Sequence, residues 1–167
     1  MMASLKEIYI GPERMAGMKS VHQVEAITER GLKGDRYEIG TGSYSRSKGY
    51  RDVTLMEVEA LWNFYRKTGI DLHPSLTRRN LLTQGVVLSN LIGARFSIGP
   101  VTFLGLRLCP PCFHLAKMIG IPDILKELAY SGGVYARILN GGSLGVGDEI
   151  VSEMFCKIDD QATLIIE

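Results

Sequence analysis

The sequence is nearly without net charge: 19 Lys and Arg stand against 18 Asp and Glu, leaving +1 over 167 residues. So even a balance gives no global field to attract nucleic acid or an anionic membrane, and any anion must be held by a local basic cluster. Nucleic acid is therefore disfavoured as a partner. There is no uncharged apolar run of 18 residues, and the opening Met1-Met2-Ala3-Ser4-Leu5-Lys6-Glu7 lacks the apolar core of a signal peptide. These absences predict a cytoplasmic protein with no membrane partner. Internal repeats and low-complexity tracts are missing too, and a chain of this length is expected to form one domain over residues 1–167. Cysteine is scarce and odd in number, at 109, 112 and 156, so at least one thiol stays free under any intramolecular pairing. In a reducing compartment all three stay reduced, and a disulfide framework is not expected. No Ser/His/Asp array, paired-carboxylate motif, Walker loop or dinucleotide fingerprint is present.

What is present reads as short strands separated by turns. Leu5 to Ile10 alternates apolar and polar and stops at Gly11-Pro12, Val21 to Arg30 is rich in β-branched residues, and Arg51 to Leu55 reads as a further strand. Phe96, Ile98, Val101 and Phe103 alternate about Gly99-Pro100, the pattern of a hairpin. Val134 to Leu139, a strand led by Gly147, and a late strand in Ala162 to Ile166 complete the set. Helical spacing is confined to Glu57 to Thr68, with Thr54 and Glu57 as a capping box, and to Ile121 to Tyr130. Seven to nine short strands against two or three short helices predict a mainly β, barrel-like, mostly antiparallel fold. A doubly wound parallel sheet would need strands and helices in regular alternation. The Gly- and Ser-rich stretch from Gly40 to Gly49 reads as a surface loop that could act as a lid.

Chemistry concentrates at Cys109-Pro110-Pro111-Cys112, where two prolines fix the backbone and remove two amide donors, holding the thiols in place. A cysteine acts as nucleophile or metal ligand as the thiolate and needs basic neighbours. Arg107, His114 and Lys117 are close in sequence, and Arg78-Arg79 is a pair that folding could bring near. Other readings stay open here: two small buried hydrophobes, a thioredoxin-like redox pair, or part of a zinc site drawn from His22, His73, Cys109, Cys112, His114 and Cys156. Arg78-Arg79-Asn80 offers two guanidinium forks and an amide for a phosphate or carboxylate. If this tripeptide is a strand, Arg78 and Asn80 share one face, expected to line a pocket, while Arg79 points away. Lys33 and Arg36, around Gly34-Asp35, add charge and backbone amides in the manner of an anion nest.

Taken in order, Gly31 to Tyr37, Val53-Thr54-Leu55 with Glu57 and Glu59, Arg78-Arg79-Asn80-Leu81, Gly85-Val86, Leu91-Ile92-Gly93, Cys109-Pro110-Pro111-Cys112 with Leu115, and Gly145 to Asp148 resemble the stand-alone bacterial members of the MOSC family, named for the C-terminal domain of molybdenum cofactor sulfurase. The resemblance implies a barrel-like fold of the MOSC, pyruvate-kinase-barrel type. It places the family cysteine on Cys112, with Cys109 as an auxiliary thiol. It implies two cargoes. In one, Cys112 ligates molybdenum of the pterin cofactor, molybdopterin, lined by Arg78, Asn80, Lys33, Arg36 and Arg51, in a small oxidoreductase component. In the other, Cys112 carries sulfur as a persulfide received from a pyridoxal-phosphate-dependent cysteine desulfurase. A third reading is a non-enzymatic binding module with structural cysteines. The chain has no room for the further modules of the reductase branch, so that reading implies separate electron-donor proteins. A homodimer paired through the last strand is also left open.

Overall fold

The computed structural model describes residues 2–13, 16–40 and 51–152. The expected lid falls within residues 41–50 apart from Gly40, and the expected late strand and Cys156 fall within residues 153–167; these lie outside the described residues. The fold is mostly β. Its main sheet holds β1 (Ser4–Ile10), β2 (Lys19–Val21), β5 (Val53–Glu57), β6 (Leu81–Gln84), β7 (Arg95–Ile98), β8 (Val101–Leu108), β9 (Val134–Asn140) and β11 (Ile150–Ser152), in the order β11-β7-β8-β9-β5-β6-β1-β2. A second sheet joins β3 (Gln23–Ile27) to β4 (Gly31–Leu32) and β10 (Gly142–Gly145). All named pairings are antiparallel except β5 with β6. The β5–β6 connection carries α2 (Val58–Thr68), as a crossover between parallel neighbours requires.

The sheet curls without closing into a barrel. Its ends meet where Ser4 bridges Glu149, and where the amides of Leu5 and Ile150 donate to the carbonyls of Asp148 (2.9 Å) and Ala3 (2.9 Å). Inside the curl lies the larger core. The alternation read from the sequence is what fills it: Val101 and Phe103 of β8 and Val134, Ala136 and Ile138 of β9 point inward. Phe96 stacks on Phe103 with centroids 5.3 Å apart. Each fully buried side chain of this size contributes roughly 1.5–3 kcal/mol relative to exposure. β5 is buried on both faces, because Val53 and Leu55 enter this core while Met56 faces a second one under the helices. That second core gathers Ala60, Leu61 and Phe64 of α2 with Leu115 and Ala116 of α3 (Phe113–Ile119) and Ile124 of α4 (Ile124–Glu127).

The helices number four in the described residues, two of them single turns: α1 (Arg36–Ile39) and α4. The expected capping box at α2 does not form. Thr54 is buried within β5, and Glu57, the residue before α2, accepts from the amide of Leu88 at 2.6 Å instead of capping the helix. The expected strand from Val21 to Arg30 is divided at His22 into β2 and β3.

One glycine is forced by packing. The segment around Leu91 and Ile92 crosses directly over β8, and a Cβ on Gly105 would sit 2.1 Å from the carbonyl oxygen of Leu91. The close approach is itself bonded, since the amide of Gly93 donates to the carbonyl of Gly105 at 2.8 Å. Gly105→Ala must therefore move backbone against backbone, and chemical denaturation should report a loss of about 2 kcal/mol or more; an unchanged midpoint would refute this account of the crossing.

Candidate functional site

At the end of β8 the chain enters the Cys109-Pro110-Pro111-Cys112 segment, which has few means of satisfying its own backbone. The amide of Cys109 donates to the carbonyl of Gly133 at 2.7 Å, and the carbonyl of Cys109 accepts from the Arg79 guanidinium at 2.7 Å. The same guanidinium reaches the carbonyls of Gly132 (2.8 Å) and Thr77 (2.9 Å), so one side chain ties three segments together. Gly132 and Gly133 make the approach sterically open. A Cβ on Gly132 would lie 2.7 Å from Cδ of Pro111, and Gly133 has φ +114° with Leu55 O 2.2 Å from its absent Cβ.

The two thiols differ sharply. Cys109 is 1% exposed. Cys112 is half-buried and occupies the N-cap of α3, where its sulfur accepts from the amide of Leu115 at 3.4 Å. Cys112 is thus the thiol that an incoming group can meet. Among the described residues no three His, Cys, Asp or Glu side chains are grouped to hold a metal ion, so the zinc cage considered from the sequence is not assembled there.

The arginines close by are held unusually. Arg78 caps the 3₁₀ turn Pro74–Thr77 in the left-handed region (φ +59°) and donates to the carbonyls of Ala16 and Glu13. Burial, and next the neighbouring Arg36 charge, push its pKa below the ordinary arginine value. Arg36 is buried; it pairs with Asp35 at 3.1 Å and donates to the carbonyl of Arg78 at 3.0 Å. Asp35 is wholly buried, caps α1 and accepts from the Gly11 amide at 2.8 Å. Arg78 and Arg79 therefore bond only to main-chain carbonyls among the described residues, and Asp35 is the carboxylate that offsets this group of three cations. Carbonyl dipoles satisfy a guanidinium without cancelling its charge, so the cluster keeps a positive field.

The other residues expected at the site are distributed differently. Arg78, Arg79 and Asn80 do not form a strand; β6 begins only at Leu81. The strand alternation that would put Arg78 with Asn80 and turn Arg79 away is replaced by a 3₁₀ exit, and it is Arg79 that reaches the cysteine segment. Asn80 is 0% exposed, its Oδ1 accepting from the amide (3.1 Å) and hydroxyl (3.1 Å) of Thr54 and its Nδ2 donating to the carbonyl of Tyr9 (3.1 Å). Its amide links β1, β5 and β6 from within. Lys33 is exposed and faces Glu25 at 3.7 Å, apart from Arg36. Arg51 lies with its guanidinium carbon 5.0 Å from the centroid of the Tyr135 ring.

Sequence reasoning missed Tyr37 and Tyr135. Tyr135, on β9, has its pKa raised by burial and, next, by Cys109. Burial likewise raises Tyr37, whose ring lies 4.6 Å beneath the Arg36 guanidinium. The alternation of β9 marks Tyr135 as outward-facing, but nothing local in the sequence puts it beside a cysteine 26 positions earlier.

This fold and thiol-bearing end match a recognised class. Residues 48–151 match the family model of the MOSC domain, and the chain belongs to the MOSC family. Among solved structures it is similar to the YuaD protein from Bacillus subtilis, at 19% identity and TM-score 0.74 over 90% of this chain and 94% of that one. It is also similar to YiiM from Geobacillus stearothermophilus (16%, TM-score 0.68, 90% of this chain and 74% of that one) and YiiM from Escherichia coli (21%, TM-score 0.66, 92% and 71%). Comparison with curated proteins gives no match. No described helix is long and apolar enough to cross a membrane.

Two outcomes test the structural roles assigned here. Asn80→Ala strands the Thr54 amide and hydroxyl and the Tyr9 carbonyl in a dry site, and should cost about 2–4 kcal/mol in denaturant unfolding; a loss under about 0.5 kcal/mol would contradict it. Asp52 accepts from the Ile138 amide at 2.8 Å, but burial outweighs that bond and raises its pKa above the ordinary 3.8. A carboxyl raised on folding favours the protonated folded form, so its contribution is full below 3.8 and is lost as pH rises through the raised value. Asp52→Asn should accordingly flatten the stability curve measured by thermal melts between pH 3.8 and the raised value, and an unaltered slope would rule the effect out.

Proposed function

We propose that the chain binds the molybdenum cofactor and works as a small oxidoreductase component, with Cys112 as the thiolate ligand. The MOSC family is associated with molybdenum cofactor binding. The observation that carries the reading to this chain is the pairing of a half-buried, N-capping thiol with a cluster of guanidiniums whose charge is left standing by main-chain partners. A pterin cofactor with a phosphate and a thiolate-ligated metal asks for this donor chemistry: one soft sulfur and nearby fixed positive charge. When bound, the cofactor would supply the redox-active metal.

The residues divide the work of holding it. Cys112 presents the sulfur from the N-cap of α3, where it accepts from the Leu115 amide. Arg78 and Arg36 supply positive charge beside Glu13, Ala16 and Met18, and Arg51 does so beside Tyr135. Arg79 fixes the Cys109 carbonyl and so the approach to Cys112. In this reading Asn80 supports the site from beneath, through Thr54 and Tyr9, and Lys33 contributes only at a distance. The reading extends one MOSC unit across residues 1–167, places it in the cytoplasm, and calls for a separate electron-donor protein.

Expression in a host that makes the cofactor, followed by metal analysis by mass spectrometry, tests this directly. Wild-type protein should carry near-stoichiometric molybdenum, and Cys112→Ser of equal melting temperature should carry little. Molybdenum absent from both would overturn the proposal and turn attention to sulfur carriage, for which incubation with a cysteine desulfurase and labelled cysteine should leave label on Cys112.

A further inference from the structure

The last turn of β8 before the cysteines is irregular. Gly105 pairs with Ala136 and Arg107 with Tyr135, so two steps on β8 match one on β9, a bulge at Leu106. In an unbroken ladder Leu106 would face Tyr135. The bulge instead aims Arg107 there, and bulges re-aim side chains in this way beside functional sites. The Arg107 guanidinium carbon lies 4.5 Å from the centroid of the Tyr135 ring, which also lies 5.0 Å from that of Arg51.

Two cations over one ring repel each other, and the ring's attraction only partly offsets this. Nearby, Asp52 accepts from the Ile138 amide at 2.8 Å and Glu29 pairs with Arg137 at 2.7 Å. Arg107 is exposed and, among the described residues, its guanidinium stacks on Tyr135 without an ion pair or side-chain hydrogen bond. Stacking uses the face of a guanidinium and leaves its N–H edge free for the two oxygens of a carboxylate or phosphate. The Tyr135 ring that braces Arg107 also feels Cys109, which stands two residues after Arg107 and three before Cys112.

We propose that Arg107, presented by the β8 bulge and braced on Tyr135, is the substrate-recognition residue of the Cys112 site, selecting molecules that carry a carboxylate or phosphate. Arg107 is the exposed guanidinium of the group and so the one a diffusing molecule meets, whereas Arg36 is buried. The inference rests on Cys112 as the reacting centre but not on the identity of its cargo.

The test uses metal-free wild-type protein and the alkylation of Cys112 by iodoacetate, an anion, and iodoacetamide, its neutral counterpart; in both the sulfur displaces iodide. The ratio of the two rates reads anion selection. Arg107→Gln should lower that ratio by about threefold or more, the ratio cancelling any change in thiolate fraction, which both reagents share. Arg107→Lys, which keeps the charge, should retain most of it. Arg95→Gln removes the same charge from an exposed position on β7 and should not alter it. A ratio unchanged in Arg107→Gln, or lowered equally by Arg95→Gln, would overturn the proposal. Should Arg107→Gln not fold, inorganic phosphate on the wild-type protein reads the same site: it should slow iodoacetate more than iodoacetamide, and equal slowing would overturn it. Molybdenum content of folded Arg107→Gln separates the two sources of an oxyanion. Retained metal supports a substrate group, while selective loss assigns Arg107 to the cofactor phosphate and sinks the substrate assignment. Because the alkylation arm needs no metal, protein that never acquires molybdenum can still pass or fail it.

Discussion

A segment holding two consecutive prolines cannot donate hydrogen bonds through either, and at the end of β8 that deficit falls beside the two thiols. The surrounding chain makes it good from outside: Gly133 accepts the Cys109 amide and Arg79 saturates its carbonyl. Much of the local sequence follows from this one need. Gly132 and Gly133 must lack side chains so that their backbone can come close, and Arg79 must stand where a 3₁₀ turn, not a strand, delivers it. The cost is a guanidinium that has no carboxylate partner among the described residues. That same circumstance leaves the thiol end of the sheet positive.

The division between framework and chemistry is clear in the two faces of β5. Its inward residues, Val53 and Leu55, belong to the core inside the curled sheet, while Thr54 bonds to Asn80 and Met56 lies beneath α2. Asn80 is a joint among three strands, so a substitution there disturbs the platform on which Arg78 and Arg79 stand. A residue can matter greatly to such a site without facing any ligand, and stability measurements are needed to tell the two situations apart.

The strands were legible because alternation over four to eight residues is a direct imprint of one buried face, as in β8 and β9. The hairpin at Gly99-Pro100 and the helix ended by Gly69 were readable for similar reasons. The site was less so. Cys112 stood out through its prolines and through family resemblance, but period-two reasoning across Arg78-Arg79-Asn80 failed, since a positive φ at Arg78 breaks the alternation before β6 starts. Tyr135 and the aim of Arg107 depend on a bulge, a register event between strands whose pairing no single segment encodes.

The bridge between Ser4 and Glu149 joins the first described strand to the segment leading into the last. Its loop spans almost everything between, so it is among the most expensive contacts to form in chain entropy and among the latest a growing polypeptide can make. Until that seam is sewn, β1 can pair with β6 on one side while its opposite margin, at Leu5, stays open. During synthesis such a margin is a strand edge in search of a partner, and its short length, with Lys6 and Glu7 alongside, limits what else could settle there.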